Sequence, residues 1–565
     1  MKRSDDSIPL SPSLSSINKK NDSPQPFEVN RRIFFLSLQA IFNALIIGGI
    51  AKLLVYLIEL ITNLSFYGKF SIEPASPANN HLGWYVVFIP IIGSLLVGVM
   101  ARFGSSAIRG HGIPEAMEKI ILDESKIPPL ITLLKPLSAA ISIGTGGPFG
   151  AEGPIIATGG AFGSFTGQIM HISASERKIM LSAGACAGMA AIFGSPLAAV
   201  LLAIELLLFE FSARSIIPVA LACVTGAAMH LWLFGSEPVF AMGAIPVPSG
   251  SDLAVYVGIG LFVGVVASFV SKSVYAVEDL FEKLPIHWMW WPAIGAVAVG
   301  VVGYFAPYTM GVGYDNIQNL LTGNLPLTVL LSLCLLKYIS WVIALGSGTS
   351  GGTLAPLFTI GGALGALCGT SLLTLFPDLS INLTTTALVG MAAMFAGSSR
   401  ALLTSIVFAL ETTGQPHGLL PLVGACVAAY FVSFFLMEGS IMTEKIRRRG
   451  ITTPESYQPD LLMLSHVKDL MRPANPDDQY PLISEDEALD VCVQLMGKLQ
   501  VSTLLVTDAT DEQIIKGKIS AMDIIGFYTM KKESEQKYNG PARTKRWMVY
   551  TRQVIKHRRS GTKHD

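Results

Sequence analysis

The stretch Gly144–Gly167, GTGGPFGAEGPIIATGGAFGSFTG, returns 202 positions later as Gly346–Gly369, GSGTSGGTLAPLFTIGGALGALCG. In that register Gly144, Gly146, Gly150, Pro154, Gly159, Gly160, Ala161, Gly163 and Gly167 fall on Gly346, Gly348, Gly352, Pro356, Gly361, Gly362, Ala363, Gly365 and Gly369. Further on, Gly188–Phe193 lies over Gly390–Phe395 at the same offset, and after a four-residue insertion Glu205 lies over Glu411. A match of this length marks an internal duplication, so the chain must fold as two like halves. The single charge of the first copy, Glu152, has Leu354 as its counterpart. The halves share a frame, and one of them supplies a carboxylate.

Both copies sit among apolar runs of spanning length or nearly so: Ile33–Leu60, Leu82–Met100, Leu253–Val270, Trp291–Ala306 and Leu325–Leu345. With 51% hydrophobic residues and a mean hydropathy of +0.52, this is an all-α polytopic membrane domain rather than a soluble core. More than ten segments, several short and interrupted by Gly and Pro, fit the space between residues 33 and 450 better than uniform helices. Short broken segments in both halves place a binding site between the repeats, near the midplane. An acid in that setting is functional by default. The 40 basic and 40 acidic side chains balance, so no excess charge selects a nucleic acid.

The first 32 residues are polar, carry six Lys or Arg and end in Arg31-Arg32 against the first apolar run. They read as a disordered cytoplasmic segment, with no cleavable signal peptide apparent. The last span is followed by Lys445 and Arg447-Arg448-Arg449, which places the C-terminus in the cytoplasm too. The number of crossings is then even; equal halves that each cross an odd number of times are inverted relative to one another. Their bounds are about 33–240 and 250–450. Five of the six cysteines lie in apolar segments and no CxxC pair is present, so neither a disulfide frame nor a metal site is implied.

Three glycine-bearing breaks carry the chemistry. Arg109-Gly-His-Gly-Ile-Pro-Glu115 interrupts two apolar runs, and Pro114 suits the first turn of a following helix. Gly150–Pro154 and Gly351–Pro356 are the second and third breaks. A helix N-terminus offers free N–H donors and a partial positive charge, which attract an anion without trapping it. Three such ends aimed at one point would hold a dehydrated anion; any one alone reads equally well as a tight turn that lets helices pack.

Gly110-His-Gly-Ile-Pro114, Gly150-Ala-Glu-Gly-Pro154 and Gly352-Thr-Leu-Ala-Pro356, in this order, resemble the three anion-site motifs of the CLC family of chloride channels and chloride/proton antiporters. Phe193-Gly-Ser-Pro-Leu-Ala198 through Glu205 resembles that family as well, so the match covers most of residues 90–450. The resemblance implies a homodimer with one anion path per subunit, inverted halves, a lipid bilayer of the bacterial inner-membrane kind, and chloride or a similar small anion and the proton as substrates. It makes Glu152 the gating glutamate. A carboxylate that can take the anion's place competes with it when charged and leaves when protonated, so one group serves as gate and proton carrier. The anion site implied is His111, Gly112, Ile113, Pro114, Gly153, Thr353, Leu354 and Met442. Several of these depart from the pattern. His111 stands where a serine is common, Ala151 where a base often precedes the gating acid, Leu354 where an aromatic is found, and Met442 at the inner-gate tyrosine. The inner proton acid aligns with Leu206, leaving its neighbour Glu205 as relay or as a structural pair. Glu411 and Arg400 read as a structural pair.

Beyond Gly450 the composition turns soluble. A β-α-β-β-α order, with the first strand taken from 467–471, further strands at 502–506 and 513–519 and helices at 485–499 and 521–530, is similar to a single CBS domain over 460–532. Ser520 and Asp523 match positions that contact an adenine nucleotide in that family, and one copy would pair across a dimer. No other cofactor is implied. The segment 533–565 is basic and reads as lying on lipid or in solvent. The function expected is proton-coupled anion exchange. The alternatives are a passive gated anion channel, including one selective for an anion other than chloride, and an intramembrane enzyme using Glu152 with His111, for which no HExxH or GxSxG signature is present.

Overall fold

The computed structural model describes residues 26–323, 325–451, 462, 465–474, 480–508, 511 and 514–539. The chain divides into two units, Met1–Glu455 and Ser456–Asp565. The first is helical. Its first half runs through α1 (Pro26–Thr62), α2 (Phe88–Phe103), α3 (Ile113–Leu122), α4 (Ile131–Gly144), α5 (Glu152–Ile169), α6 (Ala174–Phe193), α7 (Pro196–Leu202) and α8 (Ala213–Leu233). Its second half repeats the sequence as α9 (Gly250–Glu282), α10 (Trp291–Phe305), α11 (Tyr314–Thr322), α12 (Leu327–Gly346), α13 (Leu354–Leu375), α14 (Leu383–Ser399), α15 (Leu402–Thr413) and α16 (Leu419–Leu436), followed by the short α17 (Glu444–Arg448). Eight of the described helices, counting their flanking turns, are long and apolar enough to span a bilayer. The shorter apolar helices, such as Ile131–Gly144 and Leu402–Thr413, are the broken segments expected from the sequence.

The packing repeats as the order does. Helix α5 lies on α6 as α13 lies on α14; α1 packs on α4, α6 and α8 as α9 packs on α12, α14 and α16; α2 meets α4 as α10 meets α12. The duplicated glycines are the contact points. A Cβ on Gly159 would overlap the Gly184 carbonyl, and one on Gly361 would lie 2.5 Å from the Gly390 carbonyl. Gly163 abuts Met180 and Gly365 abuts Thr386 in the same way. These equivalences correct the sequence register. Gly184, not Gly188, is the partner of Gly390, so the four-residue insertion lies before α6 and α14, and the Gly188–Phe193 match is displaced by four residues. Four residues are about one helical turn, so the slipped alignment presents nearly the same face and looks right in sequence.

The halves are inverted where they meet. The Glu205 carboxylate, in the π-helical turn that extends α7, accepts the backbone N–H of Leu403 and Thr404 at the start of α15, both at 2.9 Å, and the Thr404 hydroxyl at 2.7 Å. The Glu411 carboxylate, near the end of α15, accepts the N–H of Leu197 and Ala198 at the start of α7, at 3.0 and 2.8 Å. Each glutamate caps the other half's helix, so α7 and α15 run antiparallel about a local two-fold axis. The expected pairing of Arg400 with Glu411 is replaced by this arrangement. Arg400 stands ahead of α15 and donates to Met437 O at 2.6 Å, at the end of α16.

One end of the unit gathers arginine–carboxylate pairs. Arg32 pairs with Glu176 at 2.6 Å, Arg214 with the same carboxylate at 3.4 Å, and Arg449 with Glu118. The first helix begins at Pro26, so residues 26–32, read from sequence as disordered, belong to α1, and the Arg32–Glu176 pair lies about two turns along it. The rest of the expected disordered segment, 1–25, lies outside the described residues.

The second unit has strands β1 (Leu482–Ser484), β2 (Thr503–Thr507) and β3 (Ile515–Ser520) with helices α18 (Leu489–Leu499) and α19 (Ala521–Asn539); the β-α-β-β-α order stands, but Val467–Asp469, where the sequence places the first strand, is a tight 3-10 turn and the strand lies at Leu482–Ser484. The sheet order is β1-β2-β3, with β1 parallel and β3 antiparallel to β2. Leu489, Cys492, Leu504, Val506 and Ile519 form its core. Lys516 lies between Glu485 and Asp508, both at 2.6 Å, which pushes its ammonium up to about 12. Helix α19 runs nine residues past the expected end at Met530; the remainder of the basic tail, 540–565, lies outside the described residues.

Candidate functional site

The three breaks meet at one place. Gly150 and Gly352, equivalent residues of the two halves, exchange backbone hydrogen bonds, Gly150 N–H to Gly352 O at 3.3 Å and Gly352 N–H to Gly150 O at 3.0 Å. A residue paired antiparallel with its own repeat partner lies on the two-fold axis, so the axis passes through the site. Gly110 joins from the first break, donating to Thr349 O at 3.0 Å and accepting from Gly351 N–H at 3.4 Å. The approach requires glycine: a Cβ on Gly153 would overlap the His111 carbonyl and lie 2.8 Å from Gly352 Cα. Gly112, with φ of 100°, adopts a backbone that other residues rarely reach, and a Cβ there would overlap the Gly153 carbonyl.

Helix ends at the site are not equal. The first turns of α5 and α13 follow Ala151 and Thr353, neither of which caps them with a side chain. At α3 the Gly112 N–H is taken by the Glu115 carboxylate at 2.6 Å. A capping acid three residues into the first turn thus engages one donor of α3 from within, whereas α5 and α13 start without a side-chain cap.

Glu152 is fully buried, as are Leu354, Thr353, Gly153 and Met442, and His111 is 6% exposed. The Glu152 carboxylate turns back over the junction. Its Oε2 overlaps the space of a Cβ on Gly150 and lies 2.9 Å from one on Gly352. Its own N–H and that of Ala355, in the first turn of α13, face it, as does the Tyr314 hydroxyl, yet neither carboxylate oxygen reaches hydrogen-bond geometry. A buried carboxylate with no formed partner, resting between two uncapped helix starts, occupies the place those ends offer to an anion. His111 Nδ1 is likewise buried and unpartnered. Met442 sits on a loop pinned by Ile441, whose N–H donates to Ser398 O at 2.9 Å and whose carbonyl accepts the Tyr275 hydroxyl at 2.7 Å.

Two lysines at the site escaped the sequence reading. Lys135 and Lys337 are both fully buried, and the same offset of 202 relates them. Lys135 Nζ donates to Ile108 O and Gly110 O at 2.8 and 2.9 Å, fastening the first break. Lys337 Nζ donates to Thr309 O at 3.2 Å, in the matching position ahead of α11, and its charge bears on Glu152. The signal was available: a duplicated charge inside two spanning runs. Arg109 adds a further tie, its Nε donating to Gly348 O at 3.1 Å while its guanidinium rests on the rings of Trp288 and Trp291.

Cavities approach from both ends. One of about 490 Å³ is lined by Glu205, Leu206, Arg400, Glu438, Ser440 and Arg447, at the end that carries the arginine pairs. Another, of about 370 Å³, is lined by Glu59, Asp315, Ala151 and Tyr314. Glu59 lies 27 residues along α1 from Arg32, about 40 Å at 1.5 Å per residue, so the second cavity opens at the opposite end. Ser520 and Asp523, in the second unit, bond to one another at 2.7 Å at the start of α19, and Asp523 also pairs with Arg472.

Inverted halves that meet at helix breaks around a buried acid, with a cavity at either end, define a transport protein of the membrane. The chain belongs to the voltage gated chloride channel family, whose model matches residues 92–434. It is 30% identical over 390 residues to the H(+)/Cl(−) exchange transporter ClcA of Yersinia pestis, covering 66% of this chain and 80% of that one. Among solved structures it shares the fold of a slow cyanobacterial Cl−/H+ antiporter, with a TM-score of 0.64 and 23% identity over 73% of this chain and 97% of that chain. It shares the fold too of a CLC-type fluoride/proton antiporter, with a TM-score of 0.60 and 21% identity over 74% and 98%.

Proposed function

We propose that this protein exchanges a small inorganic anion, chloride in the first instance, for protons, with Glu152 as gate and proton carrier. The observation that carries the reading is the Glu152 carboxylate resting without a formed hydrogen bond between the uncapped starts of α5 and α13. Charged, it holds the anion's place; protonated, it yields that place and carries one proton with it. His111, Gly112, Ile113, Pro114, Gly153, Thr353, Leu354 and Met442 surround the path. The names of the ClcA relative and the cyanobacterial antiporter support exchange of chloride, and the fluoride/proton antiporter makes fluoride the competing substrate to test.

On the inner side the proton travels through water. Leu206, at the position of the expected acid, lines the 490 Å³ cavity, which has room for several waters. Glu205 serves as a helix cap with both oxygens engaged. The end that carries Arg32 and Arg447 faces the cytoplasm, with both termini on that side, in a bacterial inner membrane, and two subunits pair with a separate path in each. The second unit is a CBS-like clamp across that dimer, and an adenine nucleotide at Ser520 and Asp523 would have to displace the Arg472 pair.

Reconstitution into liposomes under an imposed chloride gradient tests the reading. Proton movement coupled to chloride, and anion flux without protons after Glu152→Gln, are the expected results. Anion flux with no proton movement in the unaltered protein would make it a passive channel.

A further inference from the structure

We propose that Tyr314 is the proton relay between the outer cavity and Glu152, a reading that rests on the exchange function above. The residues lining the 370 Å³ cavity include the carboxylates of Glu59 and Asp315 and no Lys, Arg or His. Such a mouth concentrates protons and repels anions, so it serves the proton side of the exchange. Ala151, which contributes no titratable group, and Tyr314 close it toward Glu152. The Tyr314 hydroxyl is buried and without a formed partner, and it faces the Glu152 carboxylate, itself buried and unpartnered.

The ring is held in place. It packs edge-on against Phe193 with centroids 5.9 Å apart and against Phe240 at 5.7 Å. The repeat gives its position meaning. Gly313 answers Gly112 as the positive-φ glycine ahead of its helix, so Tyr314 is the counterpart of Ile113, and where one half brings an apolar side chain to the helix start, the other brings a phenol. The charged groups around it are Glu152 from α5, Glu59 from α1, Asp315 beside it on α11 and Lys337 from α12, whose Nζ lies 2.7 Å from the place of a Cβ on Gly313.

The step balances without a charged tyrosine. As the phenol O–H proton passes to a Glu152 oxygen, a hydronium in the cavity gives a proton to the phenol oxygen and is left as water; tyrosine ends neutral and one proton has moved inward.

Tyr314→Phe removes one oxygen and keeps the ring contacts. Proton and chloride fluxes are measured together in liposomes for the unaltered protein, Tyr314→Phe, Glu152→Gln and the double variant. Coupled turnover in Tyr314→Phe should fall about tenfold or more, with the anion-to-proton ratio preserved. The uncoupled chloride flux of Glu152→Gln should change less than about twofold when Tyr314→Phe is added, since no proton then needs relaying. Coupled exchange at the unaltered rate in Tyr314→Phe overturns the relay, as does an equal slowing in both backgrounds, which would mark a structural part. Chloride flux without protons in the unaltered protein overturns the exchange reading instead, so the two failures are told apart.

Discussion

Glu205 offers the sharpest separation of a structural from a proton-carrying acid. Glu205→Gln keeps the size and one acceptor but turns the other oxygen into an amide donor facing the N–H of Leu403 or Thr404. One backbone donor at the start of α15 is orphaned, at about 1–3 kcal/mol, and the charge at a helix N-terminus is lost, at about 0.3–1 kcal/mol. Glu205 is half-buried beside a cavity, so water can take up part of the orphaned donor, and the lower part of the range applies, about 1–2 kcal/mol. The assay pairs thermal unfolding of the detergent-purified protein, followed by tryptophan fluorescence, with the anion-to-proton ratio in liposomes. A cap predicts a lowered midpoint with the ratio intact. Glu411→Gln, which removes the mirror-image cap on α7, should lower it by a similar amount. Unaltered stability together with lost proton coupling in Glu205→Gln would refute the assignment and restore Glu205 as a relay.

Other expectations follow from the same geometry. Glu152→Gln should pass anion with no accompanying proton, checked with paired chloride and pH electrodes. Gly153→Ala places a methyl into the His111 carbonyl and against Gly352, both backbone, so it should cost about 1–3 kcal/mol and abolish anion flux in protein that still purifies as folded. Lys135→Met strips two carbonyls of a charged donor and should destabilise by about 3 kcal/mol; Lys337→Met, which frees one, should cost less in unfolding experiments yet slow exchange, because Glu152 loses its nearby positive charge.

The frame was legible because duplication leaves a literal trace. Glycines at 159, 163, 361 and 365 recur because helices touch backbone to backbone there, and only glycine permits it. Glu152 was legible because an isolated charge in an apolar run has few explanations. What escaped depends on geometry between distant segments. That Glu115 closes the start of α3 is a matter of one rotamer. That Glu205 and Glu411 cap each other's halves shows only when α7 and α15 lie side by side. The slipped register at Gly188 shows the limit of identity itself, since a shift of about one turn preserves the face of a helix. Tyr314 was missed for a different reason: no charge pattern or motif around it names a site, and its meaning comes from what the other half brings opposite.

The hydrogen bonds between Gly150 and Gly352 put the symmetry axis through the middle of the transport path. A path built about such an axis has no preferred direction of its own; turned end over end, its backbone looks the same. Direction must then reside in the few positions where equivalent residues differ: Glu152 against Leu354, Tyr314 against Ile113, His111 against Val312 and Glu115 against Asn316. The vectorial character of the molecule is thus written in a handful of side chains on a reversible scaffold. Exchanging those residues between the halves is the way to make the same frame face the other way.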